Sequence, residues 1–181
     1  MARNKNTSFS KKTSTFESLD PRTGEVLARY PRTSPEEVFE IVDFAHDASV
    51  VWQSLGFKKR KKILLMWAGH LTSQIEVGAQ IIADETGKPL SDAKLEVGIA
   101  IDHISWAAKN ARHILEPSYR PSGLLMFNMS SRVERSPYGV IGVIGPWNYP
   151  LFTPMGSIAY ALAAGNAVVF KPSEYTPGVG V

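Results

Sequence analysis

The chain has 181 residues, 44% of them hydrophobic and 20% charged, with a net charge of +3 and no cysteine. That length suits one domain with a proper core, the composition is ordinary for a soluble globular protein, and without cysteine no disulfide-forming compartment is implied, so the expected location is the cytoplasm. Membrane-spanning and secreted classes are set aside: the most apolar interval, Ile158 to Phe170, is broken by Gly165-Asn166 and falls short of the roughly 18 residues of a span, and the first residues lack an apolar signal region.

In chain order, residues 1–15 read as a disordered basic tail. Through residue 18 the chain holds Arg3, Lys5, Lys11 and Lys12 against Glu17, a net of +3 that equals the charge of the whole chain. Ser34-Pro35-Glu36-Glu37 is a capping box with proline at the first helical position, and it opens a helix carrying Val38, Ile41, Val42, Ala45 and Trp52 on one face. Lys58-Lys59-Arg60-Lys61-Lys62 is the one conspicuous charge run. Ile63, Leu64, Trp67, Leu71, Ile75 and Ile81-Ile82 follow it at helical spacing, which predicts a long amphipathic helix with the basic cluster on its exposed first turns. Cations are unfavourable against the dipole at a helix amino end, so a neighbouring acidic surface is expected. No aromatics interleave with the cluster, and nucleic acid is not an expected partner.

A third helix is predicted from Pro89 or Leu90 through Ala93, Val97, Ala100, Ile104, Ala108 and Leu115, ended by Pro117. The four histidines, His46, His70, His103 and His113, show no i,i+3 or i,i+4 pairing, so no metal site is expected. Residues 121–136 read as an extended hairpin, with Leu124-Leu125-Met126-Phe127 and Met129 to Arg135 as arms divided near Asn128.

The most informative stretch comes last. Val140-Ile141-Gly142-Val143-Ile144 is β-branched, lacks polar alternation and is cut short by Gly145-Pro146, which predicts a parallel strand buried on both faces. Tyr149 to Ala164 has apolar residues at helical spacing, and Gly165-Asn166 stops it. Ala167-Val168-Val169-Phe170 is a second strand, ended at Lys171-Pro172. Strand, helix, strand is the unit of an open α/β sheet, whose ligands bind at the carboxyl ends of the strands.

Gly145-Pro146-Trp147-Asn148-Tyr149-Pro150 and Lys171-Pro172-Ser173-Glu174, in this order and separation, resemble the cofactor and oxyanion motifs of the NAD(P)-dependent aldehyde dehydrogenase superfamily. Asp20-Pro21-Arg22-Thr23-Gly24-Glu25 is similar to the family's opening turn, and Glu85-Thr86-Gly87-Lys88-Pro89-Leu90 to the turn between its early helices. The likeness runs from about Phe16 to the last residue and corresponds to the family's amino-terminal portion. The fold it implies is an incomplete Rossmann-like parallel sheet with flanking helices and an extended hairpin. Residues 16–120 and 137–181 would form the partial cofactor domain, and 121–136 a segment for homo-oligomer contacts.

The activity implied is oxidation of an aldehyde to a carboxylate through a cysteine thiohemiacetal. Such chemistry needs a thiolate, a hydride acceptor and donors for the oxyanion. The resemblance gives Asn148 a donor's role. Its neutral amide can stabilise developing charge without titrating; the lesser alternative is that, as a residue of a turn, it spends that amide on turn backbone. The resemblance sets Ile144, Gly145, Pro146 and Trp147 along the dinucleotide, and Lys171, Ser173 and Glu174 towards its adenosine half. A carboxylate at Glu174 would repel a 2′-phosphate, which favours NAD, with NADP as the alternative. The absence of cysteine departs from the family pattern, as does that of the later glycine-rich turn and the glutamate base, and Ser157 lies in no G-x-S-x-G elbow. The chain alone is therefore expected to be inactive and to leave a sheet edge and apolar surface uncovered. The rival reading is a non-catalytic assembly fragment that keeps the fold.

Overall fold

The computed structural model describes residues 14–181; the basic tail expected over residues 1–15 lies almost wholly outside them. Strands β1 (Thr15–Leu19) and β2 (Val26–Pro31) pair antiparallel around the Asp20–Glu25 turn. The turn is the one expected from the sequence; the two strands that flank it are an addition to that expectation. In the turn, Asp20 accepts from the Arg22 amide at 2.8 Å and from its guanidinium at 2.7 Å, and Gly24 takes the left-handed conformation the bend requires (φ 76°). The guanidinium and amide of Arg22 hold the Asp20 carboxyl down at about 2, from an ordinary 3.8.

Helix α1 (Pro35–Ser54) starts at the capping box as expected, with the Glu37 amide donating to Ser34 Oγ and the Ser34 amide to Glu37 Oε2. The single long helix expected next is two, α2 (Gly56–Ser73) and α3 (Ile75–Thr86), broken at Gln74. The basic run is not wholly a solvated face either. Arg60 is buried, donating to the Gln53 carbonyl at 3.0 Å and the Ala163 carbonyl at 3.3 Å, with its guanidinium over the Phe57 ring. It thus satisfies carbonyls at the carboxyl ends of two other helices, where a cation is favoured. The groups around Arg60 are carbonyls and a ring, not the acidic surface expected from the charge run.

Helix α4 (Leu90–Leu115) runs as predicted and forms the spine of the fold. Its buried face packs on α2, α3 and the crossover helix α5 (Phe152–Ala164). Leu64, Ala68, Ala100, Ile104, Ala107, Met155 and Ala159 make the main core; small residues on α4 and α5 let the helices approach closely.

The extended segment differs from expectation in detail. The paired arms are β3 (Ser118–Arg120) and β4 (Ser131–Val133), and Leu124–Met126 is a 3-10 turn between them rather than an arm. Pro121 has no amide to continue the ladder, which limits β3 to three residues.

Strands β5 (Val140–Ile144) and β6 (Ala167–Lys171) are parallel, in register Val140 to Ala167 through Ile144 to Lys171, and α5 crosses between them. Pro154 stands in the first turn of α5, where its missing amide costs nothing. Gly165 ends the helix in the left-handed conformation (φ 106°), and Asn166 joins that end to β5 by donating to the Ala161 carbonyl and accepting from the Gly139 amide. Burial on both faces is incomplete. Val143 is buried, but Ile144 is 78% exposed, because among the described residues only these two strands form the sheet and α1 and α5 cover part of its two faces.

Candidate functional site

The carboxyl ends of β5 and β6 are held side by side: the Gly145 amide donates to the Lys171 carbonyl at 2.9 Å, one step past the last register pair. Gly145 is closely packed: a Cβ there would lie 3.0 Å from Phe170 Cε2 and 3.4 Å from Pro154 Cγ, so both side chains would have to give way. Past it, Pro146 is half-buried, and Trp147 and Asn148 are exposed.

Asn148 does not spend its side chain on the turn. Its backbone carbonyl accepts from Lys88 Nζ at 2.9 Å, while its side-chain amide has no hydrogen-bond partner among the described residues. This removes the turn-satisfying alternative for that residue and leaves two N–H donors facing outward from the strand exit.

On the neighbouring exit, Lys171 donates to the Pro172 carbonyl at 3.0 Å and stands 3.6 Å from the Glu174 carboxylate. Both side chains are largely exposed, so the pair itself contributes little to stability. A backbone hydrogen bond at Glu174 and the charge of Lys171 hold the Glu174 carboxyl below its ordinary range. Ser173 is buried, and its hydroxyl accepts from the Tyr175 amide at 3.2 Å, closing the turn that carries Glu174. Trp147 and Glu174 line one open groove of about 700 Å³, together with Leu19, Pro21 and Thr86.

Two buried carboxylates fix these exits, and sequence reasoning missed both. Glu96 on α4 accepts at Oε1 from the amides of Leu151 (2.9 Å) and Phe152 (3.2 Å), the start of α5, and at Oε2 from Lys88 Nζ (2.6 Å). Glu85 on α3 accepts from Ser18 Oγ (2.6 Å) and from the Gly178 and Val179 amides (2.9 and 3.3 Å), anchoring the chain beyond Glu174. Apart from Lys88, 8 residues from Glu96, their partners lie 55 to 94 residues away in sequence, beyond the reach of any local pattern. The one available signal was a glutamate on the otherwise apolar face of each helix, since a fully buried carboxylate needs partners.

The donor set fits a dinucleotide. Exposed apolar surface at Ile144 and Trp147 suits ring stacking, while Lys171 and Glu174 can bind phosphate or ribose hydroxyls. A model of the aldehyde dehydrogenase family matches residues 9–181. The chain belongs to the aldehyde dehydrogenase family. It is 36% identical over 171 residues to a malonate-semialdehyde dehydrogenase of Lacticaseibacillus casei, covering 92% of this chain and 33% of that protein.

Among solved structures, an NADP-dependent glyceraldehyde-3-phosphate dehydrogenase from Bacillus halodurans, complexed with NADP, superposes with a TM-score of 0.85 at 32% identity, over 93% of this chain and 36% of that one. PnpE, known from Pseudomonas sp. WBC-3 and crystallised with nicotinamide adenine dinucleotide, gives 0.85 at 31% identity, over 92% of this chain and 34% of its own. The mixed α/β fold is that of the aldehyde dehydrogenase cofactor domain, and this family of oxidoreductases uses NAD(P). The chain spans about a third of the length of the relatives it matches. Among the described residues no helix is long and apolar enough to cross a membrane.

Proposed function

We propose that this chain is the amino-terminal, cofactor-side part of an NAD(P)-dependent aldehyde dehydrogenase that oxidises an aldehyde to a carboxylate. The observation that carries the reading is the unpartnered side-chain amide of Asn148 at the exit of β5, beside the exit of β6. Bound there, the nicotinamide cofactor supplies the hydride acceptor. Asn148 donates to the oxygen that gains negative charge when the aldehyde carbonyl is attacked, and its rigid, neutral amide does so without a proton changing hands. Ile144, Gly145, Pro146 and Trp147 give the cofactor an apolar wall. Lys171 and Glu174 take its ribose hydroxyls, with Ser173 fixing the turn from behind, and the Glu174 carboxylate disfavours a 2′-phosphate, which selects NAD over NADP. The nucleophilic cysteine is not among these 181 residues. The attacking thiolate and the general base therefore come from outside them, and the chain by itself is inactive. Residues 121–136 serve as a contact segment between copies of the protein.

The test is cofactor reduction by the protein expressed from its complete coding sequence, assayed against a panel of aldehydes. The expected outcome is aldehyde-dependent reduction with a preference for NAD, and Asn148→Ala lowers kcat by about 10²–10³ with cofactor affinity unchanged. No reduction with any aldehyde, together with no change on adding NAD, would favour the assembly-fragment reading.

A further inference from the structure

Lys88 and Glu96 hold the Asn148 turn from beneath, and nothing in the reaction as proposed assigns them a part. Lys88 follows Gly87, which ends α3 in the left-handed conformation (φ 74°) and so turns the lysine back under the α5 start. Its ammonium has three N–H bonds to place. One goes to Glu96 Oε2 at 2.6 Å and one to the Asn148 carbonyl at 2.9 Å, and the group lies 4.4 Å from the centre of the Tyr149 ring. Lys88 is thereby saturated and mostly covered, with 16% of its side chain exposed against 0% for Glu96. Glu96 in turn uses its other oxygen on the amides of Leu151 and Phe152. Asn148 and Tyr149 are thus gripped at the Asn148 carbonyl and the Tyr149 ring by Lys88, in the turn between α3 and α4, and the α5 start is gripped at its first amides by Glu96 on α4.

We propose that the Lys88–Glu96 pair positions Asn148 for catalysis. Resting on the reading of Asn148 as oxyanion donor, the inference makes Lys88 a positioning residue: it touches neither substrate nor cofactor and acts through the backbone of the residue whose side chain does. A donor gripped at its own carbonyl has its Cα fixed, so its amide is aimed before substrate arrives, which is what preorganised stabilisation requires. A surface lysine merely stabilising the fold has no need to reach that carbonyl.

The test uses Lys88→Met, which keeps the stem and removes the ammonium, and Lys88→Arg, which keeps a cation. Removing one partner of a buried pair strands the other charge, so Lys88→Met combined with Glu96→Gln is made alongside. Two measurements are taken on the protein from the complete coding sequence. The first is amide hydrogen exchange over residues 147–152, with the α4 core as internal reference. The second is kcat and KM for aldehyde at saturating cofactor.

The inference expects exchange in the turn to quicken by about tenfold or more in both Met-containing variants while the α4 core holds. It also expects kcat to fall on the order of 100-fold with KM little changed, as for a displacement of about 1 Å, and Lys88→Arg to recover most of both. Unchanged exchange in the turn, or an unchanged kcat in a protein that turns over, would overturn it, as would exchange quickening equally through α4. If the unmutated protein oxidises no aldehyde, the proposed function fails. The exchange measurement then still decides whether Lys88 grips the turn.

Discussion

The α4 spine and the segment from Ser118 to Tyr138 both carry large apolar side chains, and these meet opposite fates. On α4 the apolar residues recur at helical spacing and meet α2, α3 and α5, so Ile104 is fully buried. In the hairpin, Leu124 and Leu125 fall in a 3-10 turn between two three-residue strands, Phe127 directly follows it, and the three remain 91%, 94% and 85% exposed. Apolar content alone does not say where a core is; the partner surface does. An exposed apolar cluster at the tip of a paired hairpin is the kind of surface that associates with another protein surface, which supports the contacts between copies proposed above.

The largest effect that tests this contrast is on stability. Ile104→Ala should cost about 2–5 kcal/mol through lost burial and a residual cavity, read as a lower urea midpoint at an unchanged denaturant slope. Leu125→Ala, an equal or larger loss of apolar surface, should stay within about 0.5 kcal/mol yet weaken self-association measured by sedimentation velocity. Equal costs at the two positions would erase the distinction, and association indifferent to Leu125 would remove the hairpin's assigned role.

A smaller effect sits in the Asp20 turn. The Asp20 carboxyl titrates lower in the folded chain, at about 2 against an ordinary 3.8. Its contribution is therefore present in full above pH 4 and is lost as pH falls towards 2. The difference in stability between the native chain and Asp20→Asn should be constant above pH 4 and shrink between pH 4 and 2. A difference that does not vary over that window would mean the Arg22 contacts do not depend on the charge.

The same contrast explains what the sequence made legible. The β5–α5–β6 unit could be read because each boundary has a local cause: β-branched runs cut by Gly145-Pro146 and Lys171-Pro172, and a helix stopped by Gly165-Asn166. The capping box at Ser34 and the proline at 117 bound their helices for equally local reasons. The β1–β2 pair was missed because Thr15–Leu19 is short and Glu17 and Ser18 interrupt its apolar pattern. Arg60 was read with its charged neighbours, although its environment is made by carbonyls at the ends of α1 and α5. For the site, the exposed donors Asn148, Lys171 and Glu174 stand in motifs that can be read along the chain. What fixes the turns around them cannot, since Glu85 and Glu96 act across the fold.

The account rests on the two strand exits forming one cofactor surface. Hydrogen exchange on the protein from the complete coding sequence, with and without saturating NAD, tests it most directly. The account predicts slowed exchange over residues 144–148 and 171–174, with the hairpin at 118–133 unaffected. Measured NAD binding that leaves both exits unprotected, or that protects a different face of the molecule, would contradict it.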